Sequence, residues 1–301
     1  MKFHLCALFY FLLTTTGFAQ EIRPDVDVLK FGVHPYLTAK HLQKRFTPLL
    51  AYLSEQLGKP VVLEISKSYN DHVDIVGKDE VDIAYVGPAP YVKLTEMYGQ
   101  KHLLANIQVN GNSTFRGVIF VPTHSSIKTL ADLQGKSFAF GSMYSTMSHN
   151  VPLYVMWEAG ISVSKLATHQ HMTHHENVTL AVLMGEFEAG AVKEDVFRKD
   201  EAQGLRAIAW TPPIATHVFV ATNRLKQEEA EYVQSVLLAL NNVSKGDEIL
   251  TSIKSSITGL TVAKDDNYNK LRKILKVVAC LDSHEKKGES SENCQEVELS
   301  H

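Results

Sequence analysis

Short apolar runs alternate with helical stretches along most of this chain, and that alternation restricts the fold more than any other feature. Leu29–Val33 reads as a buried strand. Leu42, Phe46, Leu49, Leu50, Leu53 and Leu57 then recur at helical spacing over 38–57, and Gly58 closes that helix. Val61–Ile65 and the runs at 81–85, 116–122, 137–141, 189–192, 205–209 and 217–222 read as further strands. Helical stretches fall between or after them at 73–76, 90–98, 130–135, 151–159, 179–184 and 228–240. Such an alternation implies α/β architecture, with mostly parallel sheets flanked by helices.

The order of the runs also implies two units. Domain 1 takes residues 28–113 and 219–275, domain 2 takes 114–218, and 276–301 forms a C-terminal tail. The chain crosses between them twice, near Phe115 to Val118 and over Val218–Ala221, and these crossings are expected to act as a hinge. Open α/β sheets bind ligands beyond the carboxyl ends of their strands, so a cleft between two such units is the natural site.

The beginning of the chain reads as a leader. Lys2 precedes an apolar run over 3–13, and small residues follow up to Gly17, Phe18 and Ala19. A run of that length is too short for a bilayer but suits a cleavable secretory signal over 1–19, cut after Ala19. Export to the periplasm then places Cys280 and Cys294 in an oxidising compartment, Cys6 having left with the leader. A bond between them would close the polar tail; the alternative is two free thiols.

Charge and motifs exclude several classes. A net charge of -3 with interleaved signs does not suit a nucleic-acid partner. There is no nucleophile elbow, no His-Glu-x-x-His and no dinucleotide glycine fingerprint, so neither catalysis nor a cofactor is expected. The loop SMYSTMS at 142–148 is different. It joins a strand to a helix, and its hydroxyls and backbone N–H groups can hold an oxyanion at a helix N-terminus. Two rival readings use nearby histidines. His169, His171, His174 and His175 could bind a metal or metal chelate, and Ser145 with His175 could serve a hydrolase.

At this loop the chain resembles the phosphonate- and phosphate-type substrate-binding proteins of ABC transporters, a branch of the type II periplasmic binding proteins. The resemblance rests on FGVHPY at 31–36, VDIAYVGP at 81–88 with Tyr91, LADLQGK at 130–136 followed by Ser145 and Thr146, and His175 ahead of the strand leading to Asp195. It implies a two-domain clamp around a small phosphorus oxyanion or phosphonate, acting as a monomer with a membrane permease or a sensor kinase. It further implies that Tyr36 and Tyr85 line the cleft from domain 1, and that Ser145, Thr146 and His175 grip the oxyanion from domain 2. Asp195 would pair with a ligand amine. The effect of His175, donating to the same group, should grow below a pH of about 6.5, where an imidazole ordinarily charges. Two departures stand out: Tyr144, Met147 and His149 are bulky for that loop, and 210–216 lacks a second acid.

Overall fold

The computed structural model describes residues 27–287 and Cys294. The leader expected over 1–19 lies outside the described residues, as does most of the polar end of the chain.

The fold is α/β, with two sheets flanked by helices. The larger sheet runs β13 (Ile257–Val262), β4 (His102–Val109), β12 (Val218–Ala221), β3 (Ile83–Val86), β1 (Leu29–Val33), β2 (Val61–Ile65). β1 pairs in parallel with β2 and β3, while β12, β4 and β13 continue the sheet antiparallel. The smaller sheet runs β10 (Leu205–Trp210), β6 (Gly117–Pro122), β9 (Ala189–Lys193), β7 (Ser137–Phe140), β8 (Thr168–His171). Its β9, β7 and β8 are parallel, and β6 and β10 are antiparallel.

Both faces of each sheet are covered, which is why the central strands read as unbroken apolar runs. On the larger sheet, Ile83, Tyr85, Phe219 and Ala221 point to one core, packed beneath α1 (Ala39–Leu57), α7 (Gln227–Ala239) and α8 (Gly246–Ile253). Their neighbours Ala84, Val86, Val218 and Val220 point to the other, beneath α2 (Tyr69–Gly77), α3 (Pro88–Tyr98) and α9 (Asn269–Lys287). The switch at every residue is the pleat of the strand. On the smaller sheet α5 (His175–Leu183) and α6 (Glu194–Asp200) cover one face, and α4 (Val151–Glu158) covers the other.

The two sheets are joined by a short antiparallel pair, β5 (Thr114–Phe115) with β11 (Ile214–Ala215). The sequence places part of the hinge at Val218–Ala221. That segment is instead an interior strand, bonded to β3 on one side and β4 on the other. A strand held in two ladders cannot act as a pivot, whereas β5 and β11 belong to neither sheet.

The chain also stays ordered past residue 275, where the sequence reading ends domain 1. Leu271, Ile274, Val277, Val278 and Leu281 form a buried stripe that carries α9 to Lys287. α9 packs on α3 of the larger lobe and α4 of the smaller. Cys280, inside this helix, is disulfide-bonded to Cys294. Among the described residues no helix is long and apolar enough to cross a membrane.

Candidate ligand-binding site

Chain direction brings the chemistry to one edge of each sheet. β1, β3 and β4 end at the same edge of the larger sheet, and β12 and β13 begin there. In the smaller sheet β7, β8 and β9 end, and β6 begins, at the edge facing it. The residues just beyond those ends, His34 and Tyr36 after β1, Gly87 after β3, His217 before β12 and Lys193 at the end of β9, therefore meet across a cleft.

Two adjoining cavities occupy this cleft. One is lined by His34, Tyr69, Ser145, Thr146 and His175. The other is lined by Arg45, Tyr85, Thr216 and Lys254. Tyr36, Phe115, Lys193 and His217 line both. Behind the polar groups stands an aromatic wall. His34 and Tyr85 both stack on His217, with ring centroids 5.6 and 4.9 Å away.

The 142–148 loop turns into α4 through a single π-helical turn, Thr146–Asn150, whose residues are all buried. Two contacts fix it. Gly141 N–H donates to the Ser148 carbonyl at 2.9 Å, and Ser148 Oγ donates to the Ala191 carbonyl. The backbone approach is so close at Gly141 that a Cβ there would run into the Ser148 side chain. The turn thereby presents Ser145 and Thr146 to the cleft.

His175 opens α5, and its tautomer follows from its partners. Lys193 N–H donates to Nδ1 at 3.3 Å, so the proton of a neutral ring rests on Nε2. Nε2 lies 3.2 Å from Ser145 Oγ. Burial pushes the imidazole down to about 3, with the Lys193 charge acting in the same direction. His175 is thus a neutral N–H donor across the ordinary pH range, not the titrating group that the sequence suggests. Thr146 behaves differently from Ser145: its Oγ1 accepts from Ala89 N–H in the first turn of α3, at 3.0 Å. It ties the two lobes together. Burial raises the Tyr36 hydroxyl to about 12, which keeps it protonated and able to donate.

Asp195, the expected partner of a ligand amine, lines neither inner cavity. It borders a third, wider groove together with Arg116, Glu194, Arg198 and Lys254. Its carboxylate lies between two ammonium groups, Lys193 Nζ at 3.6 Å and Lys254 Nζ at 3.5 Å. Burial alone would raise its pKa, but the two lysines outweigh burial and hold it at about 2. Tyr144, one of the bulky loop residues, serves as a second tie between the lobes. Its hydroxyl accepts from Asn70 Nδ2 at 2.6 Å, and Lys93 Nζ stands 4.6 Å above its ring.

The structure thus gathers Tyr36, Tyr85, Ser145, Thr146 and His175 around one cleft and sets Asp195 at its rim. Sequence reasoning misses Lys193, Arg45, Lys254, Tyr69 and His217. Lys193 has a legible signal, since it ends a strand pointing at the cleft; Arg45 and Lys254 are delivered by helices far apart in the chain and carry none. The four clustered histidines diverge, which removes the basis for the metal-binding alternative. His169 faces Glu285 at 3.7 Å, His171 bonds His149 at 3.0 Å, His174 precedes α5, and only His175 reaches the cleft. Among the described residues, the one trio of possible ligand atoms that does converge is Cys280, His284 and Cys294, and its two sulfurs are bonded to each other.

Two helix-flanked sheets joined by a narrow strand pair, with donors converging from both edges, define a two-lobed solute-binding clamp. The chain belongs to the family of phosphonate-type periplasmic substrate-binding proteins of ABC transporters, whose pattern it matches over residues 31–268. It is 24% identical over 254 residues to the probable ABC transporter phosphite binding protein PhnD1 of Prochlorococcus marinus (strain MIT 9301), covering 77% of this chain and 85% of that one. In fold it is similar to a binding protein component of an ABC phosphonate transporter from Pseudomonas aeruginosa, with a TM-score of 0.76 and 19% identity over 86% of this chain and 88% of that one. It is likewise similar to PhnD1 from Prochlorococcus marinus in complex with methylphosphonate, with a TM-score of 0.74 and 22% identity over 82% and 96% of the two chains.

Proposed function

We propose that this protein holds a small phosphonate, or a related phosphorus oxyanion such as phosphite, in the cleft and passes it to the membrane permease of an ABC transporter. The observation that carries this reading is the convergence of neutral and charged donors from both lobes. His175 Nε2–H, the hydroxyls of Ser145 and Tyr36, and the Lys193 ammonium all border the same cavity, and no acid borders it among the described residues. Charge-assisted hydrogen bonds to an oxyanion in such a site are short and strong. Phosphite and methylphosphonate are the ligands named for PhnD1 of Prochlorococcus marinus.

The two lobes act as domains, 28–113 with 219–275 and 114–218, that close on the ligand about the β5–β11 pair. The protein works as a monomer in the periplasm after losing its leader near Ala19. Calorimetric titration of the mature chain with methylphosphonate, phosphite, phosphate and, as control, sulfate tests the reading. Saturable binding of a phosphorus oxyanion is expected. If all three phosphorus compounds leave the heat trace and the melting temperature unmoved, the assignment fails.

A further inference from the structure

The acid at the rim of the cleft carries information about which ligands fit, granted the phosphonate-binding reading above. Asp195 is held from both sides by the chain's own cations. Lys193 Nζ approaches one carboxylate oxygen and Lys254 Nζ the other, at 3.6 and 3.5 Å. Both lysine side chains are largely buried, at 17% and 15% exposure, and Asp195 Oδ1 is sealed from solvent although the side chain as a whole keeps a third of its exposure. Lys254 comes from the end of α8 in the larger lobe and Asp195 from α6 in the smaller, so their pairing spans the cleft. The neighbouring acid is matched as well. Glu194 accepts from Arg116 at 2.8 and 3.0 Å and lies 3.5 Å from Arg198.

We infer that Lys254 acts as a built-in counterion to Asp195, occupying the place a ligand ammonium would need and making the cleft selective for phosphorus oxyanions that carry no amine. Two further observations support this. The inner cavities are lined by Arg45, Lys193 and Lys254 and, among the described residues, by no carboxylate. With Asp195 set against these three, the cleft has two positive charges in excess. Near neutral pH a phosphoryl group carries about -1.5 to -2, which matches that excess. A ligand with an added ammonium would carry about one negative charge less. Its cation would enter a space already holding two lysine ammoniums, where like charges disfavour each other. Asp195 Oδ1 makes no hydrogen bond, and Lys254 stands at ion-pair distance from it. Removing the Lys254 head would therefore leave Oδ1 open to an incoming amine, with Lys193 still facing only the other oxygen.

The test is calorimetric titration of wild type, Lys254→Met and Asp195→Asn with methylphosphonate and aminoethylphosphonate, each variant first checked for folding by its thermal melt. Wild type is expected to prefer methylphosphonate by at least about tenfold. Lys254→Met should shrink or reverse that preference by at least about tenfold, whereas Asp195→Asn should gain no affinity for the amine. Should Lys254→Met fail to fold, Lys254→Gln removes the same charge. A wild type that binds both ligands equally, or prefers the amine, overturns the inference while leaving the phosphonate reading intact. So does a preference that no position-254 variant alters. If wild type binds neither these ligands nor phosphite, the functional reading itself fails and this inference with it.

Discussion

His175 shows how a backbone contact decides what a side chain can do. Because its Nδ1 is occupied by the Lys193 N–H, the ring can only donate through Nε2, and because burial holds it at about 3 it stays neutral. Nε2–H faces Ser145 Oγ at 3.2 Å, so on the proposed function losing either side chain takes away a donor pair aimed at one ligand oxygen, at the scale of one charge-assisted hydrogen bond. That costs roughly 1.5 to 3 kcal/mol, about a ten- to hundredfold loss of affinity. His175→Ala and Ser145→Ala should each show it in a calorimetric titration. The sign of the pH effect follows from the lowered pKa: the ring gains no proton until the pH falls far below its ordinary value. The ratio of wild-type to His175→Ala affinity should thus stay flat from about pH 5.5 to 8, the ligand's own ionisation cancelling between the two. A ratio that climbs as the pH falls below about 6.5 would mean that the imidazole charges in the site. At this scale the sequence was partly legible. A Ser-Thr pair between strand and helix marks an anion loop by its chemistry, and a residue ending a parallel strand, such as Lys193, marks itself by position. That Thr146 reaches across to Ala89, and that Asp195 is matched by Lys254, depends on how two distant segments face each other, and no local pattern encodes it.

At the scale of elements, the segments that sequence reveals are those with one dominant signal. Buried strands such as β1, β3 and β12 are nearly pure apolar runs, and α1 carries a full helical stripe ended by Gly58 in the left-handed conformation. β4 goes unseen because Asn106 and Gln108 interrupt its run. Asn106 is nonetheless buried, donating to Tyr268 Oη at 2.6 Å, so tertiary contact satisfies a side chain that looks out of place. β13 hides behind Gly259 and two threonines, and α6 is too short to display a period. α9 has a clear stripe, but its lysines make the same stretch read as a polar tail. The disulfide anchors Cys294, fully buried, to the fourth turn of that helix. Replacing both cysteines by serine frees the end of the chain in the unfolded state and removes the buried contact. Chemical denaturation should register a loss of about 2 to 4 kcal/mol. Neither sulfur borders the cleft, so methylphosphonate affinity should not change. An affinity that falls with the disulfide would show that α9, packed on both lobes, governs closure.

For the whole molecule, the two lobes are tied across the cleft by Ala89 with Thr146, by Asn70 with Tyr144 and by Lys254 with Asp195. Opening about the β5–β11 pair must break these ties, so ligand should favour the compact state. Small-angle scattering should give a smaller radius of gyration at saturating methylphosphonate than without it. Tyr144→Phe, which removes one tie and no cleft donor, should weaken binding by about two- to tenfold, since a neutral hydrogen bond contributes about 0.5 to 1.5 kcal/mol. The same closely packed architecture is expected to make the protein acid-labile. Burial lowers His72 to about 4, His149 to about 3 and His175 to about 3, and holds His34 and His217 well below their ordinary value. In the unfolded chain each would titrate near 6.5. As the pH falls below about 6.5 the unfolded state therefore takes up protons that the folded state refuses, and stability drops. The stability these groups preserve is complete above that pH and is lost progressively as the pH falls toward the folded values. Each such histidine removes up to about 1.4 kcal/mol per pH unit in that window. Three acting together would remove about 4 kcal/mol per unit, against a total stability of about 5 to 15 kcal/mol for an ordinary domain. The carboxylates act in a different range, because Asp195, held at about 2, loses its charge only in stronger acid. Thermal melts from about pH 7.5 to 4.5 should accordingly fall steeply below about 6.5. His72→Gln, which keeps a polar side chain near Ser66 but cannot charge, should lessen that slope by up to about one proton's worth. A melting temperature that is level across this range would show that the imidazoles are hydrated and charge freely in the fold, and would remove the ground for treating the cleft histidines as neutral donors.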